Sequence, residues 1–363
     1  MGSAVGAILG SPHGLENLGK EEIRQLLLSE GADQELLFFH ADRIRELHLG
    51  NDVHLRGIVE FSNCCIKNCL YCGLRRENSA LERYRMAADE IVDAARVGAE
   101  AGLRTIVLQS GEDPFFTGQT LARIIGRLKE ESDVAVTMSV GDRTRADYAL
   151  MREAGADRYL LKAETADPNL FARLRPGTTL DGRIMSLTWL KELGFQVGSG
   201  NMVGLPGQTV DSLADDILLL KRLDVEMAGI GPFIPNGDTP LSGCTGGSVE
   251  MTLKTLAVAR IVLPYTHLPA TTALASIDYQ GRQRALKCGA NVVMPDITPV
   301  RYKRLYEIYP NKICIDEDGS VQCLPCIREM IRESERSVAT DYGHGRKPAS
   351  FDNKLPERMA KDG

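Results

Sequence analysis

Apolar positions recur at helical spacing over Glu21–Leu28 and Glu35–Leu47, with a Gly31-Ala32-Asp33 break between them, which predicts two N-terminal helices. From about Asp52 the pattern changes, and short β-prone runs alternate with amphipathic segments. The runs predict strands at Leu55–Phe61, Thr105–Leu108, Val134–Val140, Arg158–Leu161, Gln196–Met202, Met227–Ile230, Leu268–Thr272 and Asn291–Met294. Between them the period predicts helices at Asp89–Ala101, Thr120–Glu130, Arg145–Ala154, Leu180–Leu193, Val210–Leu223, Thr252–Leu263 and Arg282–Cys288, with an eighth near Tyr302–Ile308. Gly102, Gly155, Gly194 and Gly289 close four of these helices just before the next strand, as helix C-caps in αβ loops do.

Repeated βα units point to an α/β chain folded as a (β/α)8 TIM-type barrel. A doubly wound open sheet is the competing architecture, but no GxGxxG or Walker A glycine pattern follows any strand. The expected organisation is an N-terminal helical extension over 1–50, the barrel over 51–310, a cysteine-containing segment over 311–332 and a polar, flexible tail over 333–363.

Composition narrows the function classes. With 43% hydrophobic and 25% charged residues in 363, the chain can bury a large core, which excludes disorder. A net charge of −6 argues against a broad nucleic-acid surface. No apolar stretch approaches the roughly 20 residues that span a bilayer. The start lacks a basic n-region, so the expected location is the cytoplasm, with neither membrane nor nucleic acid as partner.

In a barrel, chemistry collects where strands end. Of nine cysteines, Cys64, Cys65, Cys69 and Cys72 follow the first strand, Cys314, Cys323 and Cys326 lie near the C-terminus, and Cys244 and Cys288 stand apart as expected non-ligands. Cys65, Cys69 and Cys72 form CxxxCxxC, with Tyr71 just before the last cysteine. Three thiolates can hold three corners of a 4Fe–4S cubane and leave one iron open to a non-protein ligand. Zinc held by four cysteines and a ferredoxin-like cluster are the alternatives, although adjacent Cys64 and Cys65 point apart.

This motif after the first strand of such a barrel resembles the radical S-adenosylmethionine (SAM) superfamily. Glu60-Phe61-Ser62-Asn63, Tyr71–Arg76, Arg83–Met86, Val107–Asp113, Met202–Thr209, Gly229–Pro235 and Pro269–Ala273 look like the HydE group of FeFe-hydrogenase maturases, in the biotin synthase-like branch, over about residues 20 to 345. The resemblance implies an enzyme whose cluster, held by Cys65, Cys69 and Cys72, reductively cleaves SAM to a 5′-deoxyadenosyl radical. It implies SAM contacts from Tyr71, Ser110, Gly111, Glu112, Ser139, Glu164 (ribose), Arg183 (carboxylate) and Ile230 (adenine). By residue type alone, a helix arginine such as Arg183 ordinarily faces solvent.

The implied small-molecule substrate is a cysteine-bound iron carbonyl–cyanide precursor of the hydrogenase di-iron site. Its cavity would be lined by Gln109, Ser139, Arg158, Met227, Thr271, Thr272, Met294 and Tyr306. A reductant such as ferredoxin or flavodoxin, and other hydrogenase maturation proteins, are the implied partners. Cys314, Cys323 and Cys326 resemble an optional auxiliary 2Fe–2S or 4Fe–4S site, with zinc or plain thiols as the ordinary alternatives.

One departure stands out. Hydrogenase-associated members commonly read Arg-His-Glu where this chain reads Lys162-Ala163-Glu164. Lysine keeps the charge but not the planar fork, and alanine drops an imidazole. This leaves room for a methylornithine synthase-like mutase or an amino-acid lyase. A non-catalytic Fe–S carrier is the reading from another class, and it has no use for Glu164 or Arg183.

Overall fold

The computed structural model describes residues 3–10, 14–310, 312, 323–345 and 347. Strands β1 (Asp52–Ser62), β2 (Thr105–Ser110), β3 (Ala135–Ser139), β4 (Arg158–Leu160), β5 (Gln196–Val203), β6 (Met227–Pro232) and β7 (Val292–Val293) are parallel, in the spatial order β6-β5-β4-β3-β2-β1-β7. Single bridges, Met227 to His267 and Pro269 to Val292, carry the sheet from β6 to β7 and complete the ring. The strand expected over Leu268–Thr272 is reduced to these bridges. Pro269 has no N–H to offer a ladder, and Thr271 already caps the short helix Thr272–Ile277.

Side chains alternate along each strand, as a barrel requires. Arg56, Ile58 and Glu60 of β1, Val107 and Gln109 of β2, and Met227, Gly229 and Gly231 of β6 line interior cavities. Val59, Phe61, Ile106, Leu108, Ala228 and Ile230 belong instead to the continuous apolar core between strands and helices. Helices Ala88–Glu100, Gly118–Glu131, Arg145–Glu153, Leu180–Glu192, Val210–Arg222 and Val249–Val262 form the outer layer. Side-chain caps from Thr117, Thr144, Thr179, Thr209 and Ser248 satisfy N–H groups in their first turns. The expected helix at Tyr302–Ile308 is a single turn, Val300–Lys303. Helix Pro168–Leu174, capped by Asp167, was not expected. Among the described residues, no helix is long and apolar enough to cross a membrane.

One buried carboxylate braces the mouth between β4 and β5. Asp216, 1% exposed, accepts from Ala166 N and Thr165 Oγ1 on one oxygen, and from Asn201 Nδ2 (3.3 Å) and Gln208 Nε2 (3.1 Å) on the other. Gln208 Oε1 in turn accepts from Gly204 N at 2.7 Å, so the Met202–Thr209 string is a structural turn locked to this hub. Asp216→Ala orphans several buried donors and should cost about 3 kcal/mol. The expected result is a thermal midpoint lower by several degrees. An unchanged midpoint would remove the hub from this account.

The opposite end of the barrel is closed by part of the segment expected to be a flexible tail. β8 (Ser337–Val338) pairs with the start of β1. Arg158 donates to Tyr342 O at 2.5 Å and to Thr105 Oγ1 at 3.2 Å, and its Nη2 lies 3.0 Å from His344 Nδ1. Arg56 donates to Gly343 O at 3.1 Å. Residues 334–345 thus plug the barrel floor, and 348–363 lie outside the described residues along with Cys314.

Candidate active site

The loop after β1 is held by backbone contacts on every side. Ile66 N donates to Glu112 O (3.0 Å), Leu70 N to Leu174 O (2.9 Å), Gly73 N to Ile308 O (3.1 Å) and Arg76 N to Lys67 O (2.8 Å). These fasten the cysteines to the β2 tip, to helix Pro168–Leu174 and to the segment after β7. Cys69 is buried, while Cys65 and Cys72 are half-buried. Cys65 Sγ accepts from the N–H groups of Lys67 and Glu112, both at 3.4 Å. Cys64 is turned aside, its Sγ 3.7 Å from Tyr84 O.

The chemistry of this donor set fits an iron–sulfur cluster. Backbone N–H groups aimed at a sulfur suit a ligating thiolate. Burial pushes the Cys65 and Cys72 thiols up, so a thiolate there needs a positive partner. Among the described residues, no three His, Cys, Asp or Glu side chains converge as a single ion would require. A cubane, whose ligated irons sit at separate corners, does not ask for that convergence.

Two chambers open at the C-terminal ends of the strands. The first, about 220 Å³, is lined by Cys65, Cys69, Tyr71, Cys72, Gln109, Ser110, Gly111, Glu112, Ser139, Glu164, Arg183 and Tyr306. The second, about 320 Å³, adds Glu60, Thr271, Thr272, Arg282, Met294, Asp296 and Lys312, and shares Tyr71, Cys72, Gln109, Lys162 and Glu164 with the first. Gln109 and Tyr306 are hydrogen-bonded to each other.

Glu164 stands at φ +68°, a left-handed conformation that a non-glycine residue adopts at a cost. Its N–H donates to Gly200 O at 2.9 Å and its carbonyl accepts from Met202 N at 3.0 Å, so β5 enforces the conformation. Its Oε2 lies 3.0 Å from Lys162 Nζ but without an aligned hydrogen bond. Arg183 is 4% exposed despite its helical position, with Nη2 at 2.9 Å from Asp142 Oδ2 and 4.0 Å from Glu112 Oε1. Its Nε, and that of Arg175, are buried without a hydrogen-bond partner among the described residues. These orphaned donors beside an open chamber suit an anionic ligand group.

Glu112 sits among three cations, with Lys67 Nζ at 3.3 Å, Arg175 Nη2 at 3.6 Å and Arg183. Gly141, at φ +74°, leaves it room, since a Cβ there would meet Glu112 Cγ at 1.8 Å. Arg175 also donates to Tyr71 Oη at 2.8 Å. Burial raises the Tyr71 phenol well above its ordinary value, so it stays protonated.

Three expected positions fall elsewhere. Ile230 lines neither chamber: strand alternation turns it into the outer core, and Gly229 and Gly231 face the cavity instead. Arg158 opens β4, at the floor, where it holds the plug. Met227 borders a separate void of about 30 Å³ with Arg56 and His267. Of the second cysteine set, Cys323 opens helix Cys323–Glu333 and Cys326 is exposed, while Cys314 lies outside the described residues. Residue reading missed Arg175 and Asp142, and also the buried Glu60–Lys312–Asp296 group, with Lys312 Nζ at 2.6 Å from both Glu60 oxygens and 3.6 Å from Asp296. The Arg175-Pro176-Gly177 break was visible in the sequence, whereas the partners of Arg183 and Lys312 are distant in the chain and left no local signal.

Comparison with known proteins adds three likenesses and one family match. The model of the radical SAM superfamily matches residues 59–220. The [FeFe] hydrogenase maturase subunit HydE of Thermotoga maritima is 49% identical over 339 residues, covering 92% of this chain and 97% of that one. The 3-methylornithine synthase of Methanosarcina acetivorans is 30% identical over 279 residues, 76% of this chain and 79% of its own. The crystal structure of a methylornithine synthase superposes with a TM-score of 0.80 at 26% identity, covering 93% of this chain and 97% of that one.

Proposed function

The chain belongs to the radical SAM superfamily, among the HydE relatives, and from that premise we propose that it acts in assembly of the FeFe-hydrogenase di-iron cofactor, on an iron–cysteine carbonyl–cyanide precursor. When bound, the family's 4Fe–4S cluster and SAM supply reductive cleavage of the sulfonium to a 5′-deoxyadenosyl radical. Cys65, Cys69 and Cys72 would hold the cluster. Arg183 pairs with the SAM carboxylate, and its unpartnered Nε supports that assignment. The Glu164 carboxylate accepts from the ribose hydroxyls, and Ser110, Gly111 and Glu112 meet the amino group. Tyr71, held by Arg175, walls the first chamber against water.

The observation that carries the reading is that the two chambers share Tyr71, Cys72, Gln109 and Glu164 as walls. A substrate in the second chamber would therefore lie across these same side chains from SAM in the first. Thr271, Thr272 and Gln109 offer polar groups for cyanide and carboxylate, and Met294 an apolar wall. Cys314, Cys323 and Cys326 would be the ligands of an optional auxiliary cluster, and a cytoplasmic ferredoxin or flavodoxin would serve as reductant. The test is anaerobic reconstitution with iron and sulfide, then dithionite and SAM, with and without the iron–cysteine precursor. Formation of 5′-deoxyadenosine that the precursor stimulates supports the assignment. Formation indifferent to the precursor overturns the substrate and keeps the family.

A second reading, a small organic substrate, is favoured by Lys162 at 3.0 Å from Glu164, by the buried Ala163 beside it, and by the likeness to 3-methylornithine synthase. Either substrate needs the same SAM contacts. Glu164→Gln should therefore weaken SAM binding about tenfold. Equilibrium dialysis of labelled SAM against the reconstituted protein measures this, and unchanged binding would remove Glu164 from the ribose.

A further inference from the structure

The outer face of the cysteine loop carries surface that neither chamber uses. Between Cys64 and Met86 lie five cations against Glu77 and Glu82, in a chain whose net charge is −6: Lys67 also lines the first chamber, Arg75 and Arg83 are turned into the loop, and Arg76 and Arg85 face outward. Two of the anions on this face are sunk beneath it: Arg85, 42% exposed, pairs at 2.7 Å with Asp113, which is fully buried, and Lys67 pairs with Glu112, 8% exposed, whereas the exposed Glu77 pairs with Arg75 at 3.0 Å and stands 3.7 Å from Arg76. Arg76 is 64% exposed.

Two apolar side chains stand out between these cations, Ile66 at 50% and Phe115 at 63% exposure. The patch is continuous. Arg76 N bonds to Lys67 O, Ile66 N bonds to Glu112 O, and the Arg85 guanidinium lies 4.9 Å over the Phe115 ring. Single exposed apolar residues are ordinary. Two of them framed by the outward Arg76 and Arg85, on the loop that carries Cys65, form a charged rim around an apolar centre.

We propose that this patch docks a small acidic protein that carries single electrons, an inference resting on the radical SAM reading above. One electron leaves the carrier's reduced centre and arrives on the cluster held by this loop. No proton moves and no bond forms. The positive rim steers the carrier, and Ile66 and Phe115 seat it.

The test is calorimetric titration of the reconstituted protein with an acidic ferredoxin, from low to high salt. For the wild type, Kd should rise steeply with salt. The Arg76→Glu/Phe115→Ser variant should bind about tenfold or more weakly, with a flatter salt dependence. Arg76→Gln, which adds no new charge, should move Kd in the same direction by less. Both variants should match the wild type in dithionite-driven 5′-deoxyadenosine formation, which bypasses the carrier. Wild-type binding indifferent to salt, or variants that bind the ferredoxin as tightly as the wild type, would overturn the docking surface. A wild type that forms no 5′-deoxyadenosine with dithionite would overturn the radical SAM reading instead.

Discussion

Cys69→Ala is expected to abolish SAM cleavage, with 5′-deoxyadenosine falling by at least about a thousandfold and iron retention dropping with it. Cys69 is buried at the centre of the loop, and its carbonyl accepts from Cys72 N at 3.4 Å. Cys64, the remaining thiol of the loop, is turned toward Tyr84 O and does not stand in for it. The same orientation gives the control: Cys64→Ala should keep most activity, as should loss of Cys323. Iron and sulfide analysis with a 5′-deoxyadenosine assay decides it. Near-normal product from Cys69→Ala would mean that another ligand set holds the cluster.

Gly111→Val should lower cluster loading without replacing a ligand. A Cβ at residue 111 would stand 2.2 Å from Cys64 O and 2.8 Å from Cys65 Cβ. Neither neighbour is the free end of a flexible side chain, so the loop itself must move. The obstacle is one of space and not of backbone conformation. The expected outcome is several-fold lower iron per chain after reconstitution, with the far-ultraviolet circular dichroism of the barrel unchanged. Full iron loading would show that the β2 tip does not set the cysteine loop's position.

The barrel was readable because its signals are local. Strand-length apolar runs, helical periodicity and glycine C-caps each lie within a few residues, and the observed β1–β6 fall on the expected runs. The seventh position was readable as a run but not as a ladder, because Pro269 offers no donor and Thr271 already starts a helix. The floor was misread for a different reason. Residues 339–345 are polar in composition, and what holds them is backbone carbonyls accepting from Arg56 and Arg158, which no hydrophobic pattern reveals.

The site divides the same way. CxxxCxxC stands out at a glance because its spacing is itself the chemistry. Arg158 could have been placed correctly, since it begins its strand and barrel chemistry sits at strand ends. Ile230 could have been placed by counting in twos from Met227. The burial of Arg183 beside Asp142 and Glu112, and of Lys312 against Glu60 and Asp296, depends on contacts between distant segments and was legible only in the folded chain.

Three cysteine ligands would leave one iron of the cube open to SAM. Electron paramagnetic resonance of the anaerobically reconstituted, dithionite-reduced protein, recorded with and without SAM, tests this most directly. The predicted result is a reduced 4Fe–4S signal whose g values shift when SAM is added and stay put with a SAM analogue lacking the amino and carboxylate groups. A signal blind to SAM, or a protein that takes up zinc and no iron at Cys65, Cys69 and Cys72, would contradict it.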